Sequence, residues 1–289
     1  MNWMRREKLA SYLYLLPAAA WIVLVYYFPM IAVVRNSFVQ EMGDETHFVG
    51  LIVYQALVRD PLFSKALLNN LRLMLTVPVL VALSLVFSTI IYDRIKGWRV
   101  YQFIIFIPVI LATAAVGITF GAILEYNGLL NQALRSIGLG VLALDWIGSA
   151  KYAIWSIASV MVWKDTGFGT ILFLARMMSV SPELFEAAKL DGAGWFQTMW
   201  YVTVPELGAV IEFFVILEVI VAFGWVFDYV FVMTGGGPIN STVVGEFFVY
   251  KYAFQFHRMD IASAMAVFYL LGSFVLMAIR SIVARRVEA

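Results

Sequence analysis

Long apolar runs alternate with short polar interruptions along this chain, a pattern that predicts helices rather than strands. Six stretches, at about 9–34, 71–92, 101–124, 153–177, 205–227 and 262–283, have the length needed to cross ~30 Å of hydrocarbon as a helix. Backbone inside a membrane must satisfy its own hydrogen bonds, and no alternating barrel pattern is visible. The expected fold is therefore an all-α membrane protein, a six-transmembrane-helix bundle formed by a single domain over 1–289. The first run follows Arg5, Arg6 and Lys8, and Ala18, Ala19 and Ala20 supply the small residues of a signal-cleavage site. Apolar sequence continues from Trp21 to Val34, so an uncleaved first span is the better reading.

Composition agrees with that pattern. Hydrophobic residues make up 63% of the chain and charged ones 13%, against roughly half and a quarter in soluble domains. A net charge of +1 gives no argument for a nucleic-acid partner. With no cysteine, a disulfide framework and thiolate chemistry are excluded. His47 and His257 lie far apart, and a metal normally needs three or four ligands, so no metal site is expected. Lysine and arginine placement sets orientation. With the N-terminus cytoplasmic, that side receives Arg5, Arg6, Lys8, Arg94, Lys96, Arg99, Arg176, Lys189, Arg280, Arg285 and Arg286, and the other Arg35, Arg59, Lys65, Arg72, Arg135, Lys151, Lys251 and Arg258. The asymmetry is modest overall but clear in the short segments, which puts both termini, the 93–99 turn and the 178–204 loop inside.

That loop breaks the apolar pattern most clearly. Around it stand Glu183, Glu186, Lys189, Asp191 and Glu206, between two membrane-spanning stretches. Ser181 can cap a helix, Pro182 suits its first turn, and Glu183 sits where the helix dipole favours negative charge. Gly192 is the residue type that ends helices in a left-handed conformation. Leu184, Phe185 and Leu190 offer apolar anchors, and Ala187 and Ala188 let another surface approach.

Glu186-Ala187-Ala188, then Asp191-Gly192-Ala193, then Val202-Thr203-Val204-Pro205, resembles the EAA loop of permease subunits in binding-protein-dependent ABC importers of type I. Further likeness lies in Asn127-Gly128-Leu129-Leu130-Asn131 and in Thr234-Gly235-Gly236-Gly237-Pro238, and it points to the first permease of the sugar and glycerol-3-phosphate branch. The resemblance implies a cytoplasmic coupling helix carrying Glu183, Leu184, Glu186, Ala187, Ala188, Asp191, Gly192 and Ala193. It also implies a second permease subunit, two ATPase subunits holding ATP and Mg, and an extracytoplasmic solute-binding protein. This chain would bind no cofactor and would not itself be an enzyme. The glycines at 235–237 lack the Gly-Lys-Ser/Thr ending of a Walker A loop. With Pro238 they form either an external loop that meets the binding protein or a flexible turn.

Ionisable residues inside spans usually face a bundle interior or aqueous cavity. Lys164 and Asp165 lie in the fourth span, Glu218 in the fifth, and Asp228 just beyond it. At helical spacing Glu218 shares a face with Phe214, Val221 and Trp225, and a carboxylate beside an indole suits a hydroxylated solute. Lys164 and Asp165 can instead neutralise each other. The residue pattern thus supports a solute pathway. The alternative, an ion-coupled secondary transporter or channel, could use the same acids but leaves the EAA loop unexplained.

Overall fold

The computed structural model describes residues 14–42 and 45–287. The start of the first expected span, with Arg5, Arg6 and Lys8, lies outside the described residues. Among the described residues four helices are long and apolar enough to cross a membrane: Tyr14–Asn36, Pro61–Tyr92, Thr113–Ser136 and Ala153–Met177. A pair bent by 78°, Trp195–Glu206 followed by Gly208–Gly224, makes a fifth if it counts as one span. The chain divides into two compact units.

One unit joins the described residues up to Phe63 with Phe248–Ser281. Its first helix buries nothing against the chain between Val23 and Asn36. Past that helix, an antiparallel hairpin of Val39–Met42 and Glu45–Phe48 pairs Val39 with Phe48. Hydropathy gave no sign of it. Phe38 packs against Phe48 and Tyr54, and the Tyr54 hydroxyl donates to fully buried Ser37 at 2.8 Å. Tyr252 donates to Asp60, and Phe63 meets Phe268 edge to face.

The other unit, built mainly of Ser64–Phe247, is organised on the Ala153–Met177 helix, whose bounds coincide with the expected fourth span. This helix packs along Thr76–Tyr92 and Trp98–Ile110 and buries residues on most of its faces, as its nearly continuous apolar sequence requires. Small residues allow the approach. A Cβ on Gly167 would collide with the carbonyl oxygen of Ile105, and one on Gly169 with Ser84 and the Phe214 ring. Ser84 donates to the Thr166 carbonyl at 3.0 Å across the same contact. Leu80, Phe173, Met177, Leu207 and Phe214 form the floor of a core cluster into which Phe185 reaches from the polar loop.

Three expected spans change in detail. The second begins near Pro61, not residue 71, because polar Asn69 and Asn70 are buried in the helix and satisfied by partners. The third is not one helix over 101–124. It consists of Trp98–Ile110 and Thr113–Leu124, separated by Leu111 and Ala112 in extended conformation. Pro108 lies just before the break and removes one helical N–H donor. The fifth starts at Gly208 and ends at Gly224, so residues 205–227 do not form one helix.

Candidate functional site

The polar loop folds as Pro182–Leu190, with Pro182 in the first turn and Glu183 at its N-terminal end. Ser181 precedes the helix but makes no side-chain capping bond, unlike the expectation. Gly192 does adopt φ +77°. The Ala193 N–H then reaches the Ala188 carbonyl at 2.9 Å and the Gly192 N–H reaches Lys189 at 3.1 Å, the paired bonds that close a helix C-terminus.

Phe185 is the buried residue of this helix and anchors it inward. It is 7% exposed and its ring lies 5.1 Å from that of Tyr92. Glu183, Glu186, Ala187, Lys189 and Asp191 are exposed, and Ala188 and Ala193 are half-buried. Leu184 and Leu190, at 46% and 88% exposure, have no place in the core. A cleft of about 170 Å³ opens beside the helix, lined by Tyr92, Phe185, Lys189, Trp195 and Thr198 among others. One side is therefore fastened to the spans while the other is presented outward.

A contact invisible to sequence spacing closes the loop. Arg176, at the end of the Ala153–Met177 helix, donates to both the carboxylate and the backbone carbonyl of Glu206, at 3.2 and 3.1 Å. Thirty residues separate the partners, so no periodicity could pair them.

Within the spans, Lys164 and Asp165 form an ion pair at 3.6 Å, with side chains 12% and 19% exposed. Asp165 also takes a hydrogen bond from Tyr229, a buried residue of the Phe227–Met233 helix that sequence reasoning did not single out. Glu218 is 4% exposed and Phe214 fully buried, while Val221 is half-buried. Trp225 departs from the expected shared face. It follows the helix end in non-helical backbone, φ −142°, and is 75% exposed, because the helix stops at Gly224. Asp228 is exposed at the start of the next helix. Among the described residues no cluster of three or more His, Asp or Glu could hold a metal.

The 234–245 loop is built rather than slack. Gly235 and Gly236 take positive φ, and a Cβ on Gly236 would strike the Phe247 ring. Thr242 donates to the Gly237 carbonyl at 2.9 Å and lies 2.7 Å from the Thr234 hydroxyl. Asn69 donates to the carbonyls of Ser241 and Val243. Asn70 accepts from the Gly245 N–H and donates to Ala222 and Phe223. Pro238 follows in the same turn, and Ile239 at its tip is 86% exposed.

Glu246 continues from this loop and accepts the Val226 N–H at 3.1 Å. Burial, reinforced by the charge of Asp228, pushes its carboxyl up to about 7, against the pull of the backbone N–H bonds. The folded chain holds this proton above the pH at which the unfolded chain releases it. Its contribution to stability is therefore complete below the ordinary carboxylate range and is lost as pH rises through about 7. Melting in detergent should drop by several degrees between pH 5 and pH 8, and Glu246→Gln should flatten that slope; an unchanged slope in the variant would assign it to other groups.

Comparison with known proteins bears on these features. The family described as binding-protein-dependent transport system inner membrane component matches residues 48–289. A probable ABC transporter permease protein of Bacillus subtilis is 33% identical over 272 residues, covering 90% of this chain and 91% of the relative. The multiple sugar-binding transport system permease protein of Streptococcus mutans is 32% identical over 249 residues, with 84% of each chain covered. A chain of a bacterial ABC transporter involved in alginate import shares the fold with a TM-score of 0.85 at 23% identity, covering 100% of this chain and 99% of that one. A family match over most of the sequence and relatives aligned almost end to end identify this multi-pass membrane protein as a member of the inner-membrane permease components of binding-protein-dependent ABC transport systems.

Proposed function

We propose that this chain forms half of the translocation pathway of an ATP-driven importer for a sugar, glycoside or polyol-phosphate-like solute. The observation that carries the reading is the Pro182–Leu190 helix, anchored to the spans by Phe185 in a loop whose ends Arg176–Glu206 ties together, while its charged and leucine-bearing side stays uncovered. In this reading that helix couples to an ATPase subunit through Glu183, Leu184, Glu186, Ala187, Ala188, Asp191, Gly192 and Ala193. Two such ATPase copies supply ATP and Mg. A second permease completes six-helix halves around the pathway, both termini lie in the cytoplasm, and a solute-binding protein docks outside on Gly235, Gly236, Gly237 and Pro238.

The solute class is supported by relatives whose names specify arabinooligosaccharides, lactose and trehalose/maltose. A related alginate transporter was crystallised with an oligosaccharide-bound periplasmic protein. In this reading Glu218 and Val221 face the pathway, with Lys164 and Asp165 neutralising each other nearby, whereas Phe214, fully buried in the core cluster against Phe173, backs that face and does not meet the ligand. Trp225 and Asp228 belong at the mouth rather than on that face.

Extraction in mild detergent should recover this chain with a second permease and an ATPase, and hydrolysis should rise on adding one solute-loaded binding protein. Recovery of this chain alone, with uptake in vesicles that follows an ion gradient and needs no ATP, would overturn the reading.

A further inference from the structure

We propose that the aromatic segment following the exposed helix rests in the phospholipid headgroup layer, as a membrane-surface float on which the polar loop is mounted. Residues 194–205 contain no charged side chain, although the stretch lies between Asp191 and Glu206. Four aromatics punctuate it, and they fall on the outside: Trp195 is 36% exposed, Phe196 68%, Trp200 60% and Tyr201 81%. The inner side is occupied by Met199 and Thr203, which are buried, and by Val202 and Val204 against the core cluster. The widened turn over Met199–Thr203 helps divide the sides, bringing Tyr201 out beside Trp200.

Direction supplies the independent argument. The Trp195–Glu206 segment is bent 78° from Gly208–Gly224. Membrane helices tilt on average by about 20° from the bilayer normal. A segment nearly perpendicular to its own span, at that span's end, therefore runs close to the membrane plane. Tryptophan and tyrosine concentrate at that depth because each has an apolar body and a polar tip. The span itself also carries exposed apolar side chains, Phe213 at 49% and Ile220 at 50%, as a lipid-facing helix would. The preceding helix presents Glu186, Lys189 and Asp191 instead, so charged and uncharged surfaces divide near Gly192. Lipid thus suits the second surface and an aqueous protein partner the first. The inference rests on membrane insertion alone, independent of the solute and of ATPase docking.

The absence of cysteine in the chain makes the test direct. Single Phe196→Cys, Trp200→Cys and Tyr201→Cys variants would be spin-labelled in full-length protein, with Leu190→Cys, read without its co-purifying subunits, as the aqueous reference and Ile220→Cys as the lipid reference. Each would be placed in phosphatidylcholine–phosphatidylglycerol nanodiscs, with and without its co-purifying subunits, and collision rates with oxygen and a water-soluble nickel chelate compared. The oxygen-to-nickel ratio at 196, 200 and 201 should exceed that at 190 by about threefold or more, at a depth of about 5–10 Å below the headgroup surface. Labels as open to nickel as Leu190→Cys would overturn the proposal. So would labels shielded from both reagents in the complex and open to nickel without the other subunits, since that result assigns the surface to protein.

Discussion

A Gly167→Leu chain is expected to lose its folded membrane form. Helix association within a bilayer depends on close packing, since lipid tails are as apolar as the side chains they replace. At Gly167 the neighbour is the Ile105 backbone carbonyl, with Val109 beside it, and a carbonyl in an intact helix cannot swing away as a flexible side chain can. Over-packing costs about 1–3 kcal/mol where side chains can give. A contact against backbone belongs at or above the upper end. Gly169→Leu should act similarly, through Ser84 and Phe214. Gly208 has open space around it, so Gly208→Ala should be tolerated. Fluorescence-detected gel filtration of detergent extracts reads all three. A monodisperse Gly167→Leu peak of normal height and melting temperature would show that Trp98–Ile110 and Ala153–Met177 do not need this approach.

Glu186→Ala and Leu190→Asp are expected to detach the ATPase without unfolding the permease. Both side chains are exposed, so the chain itself has little to lose. Interface residues that matter cost about 2 kcal/mol or more on truncation, a factor near 30 in affinity. ATPase recovery and uptake should therefore fall together while the gel-filtration profile is preserved. Phe185→Ala makes the informative contrast. Loss of a buried aromatic costs about 3–5 kcal/mol, so it should lower the melting temperature as well. Normal ATPase recovery and uptake in both exposed-site variants would remove this helix from the coupling proposal.

What sequence could show depended on whether the deciding contact was local. The fourth span has the bounds that its apolar run predicts, and the Gly192 turn follows from a single residue's freedom at positive φ. The second span was read ten residues short because Asn69 and Asn70 look like loop residues to any hydropathy window. Their amides are instead satisfied by the backbone of segments some 150 to 175 residues away. The Glu218–Trp225 pairing failed for a related reason. Spacing of seven places residues together only while the helix lasts, and this one ends between them. Tyr229 and the Arg176–Glu206 pair carried no periodic signal at all. The extended break at Leu111 and Ala112 had one cue, Pro108, set inside an otherwise uniform apolar run.

The Arg176–Glu206 bridge, partly open to solvent, adds little to stability, where such pairs are worth ~0–1 kcal/mol. Its consequence is mechanical. The guanidinium ties the foot of one span to the approach of the next, and Leu207 and Met177 are locked into the same cluster beside it. The twenty-nine residues between, 177–205, form a stirrup with both straps fixed at one buckle. Under the proposed coupling, a pull on Pro182–Leu190 would reach both span ends through the shared packing of Met177 and Leu207, with the bridge setting their register, and so would favour their moving together.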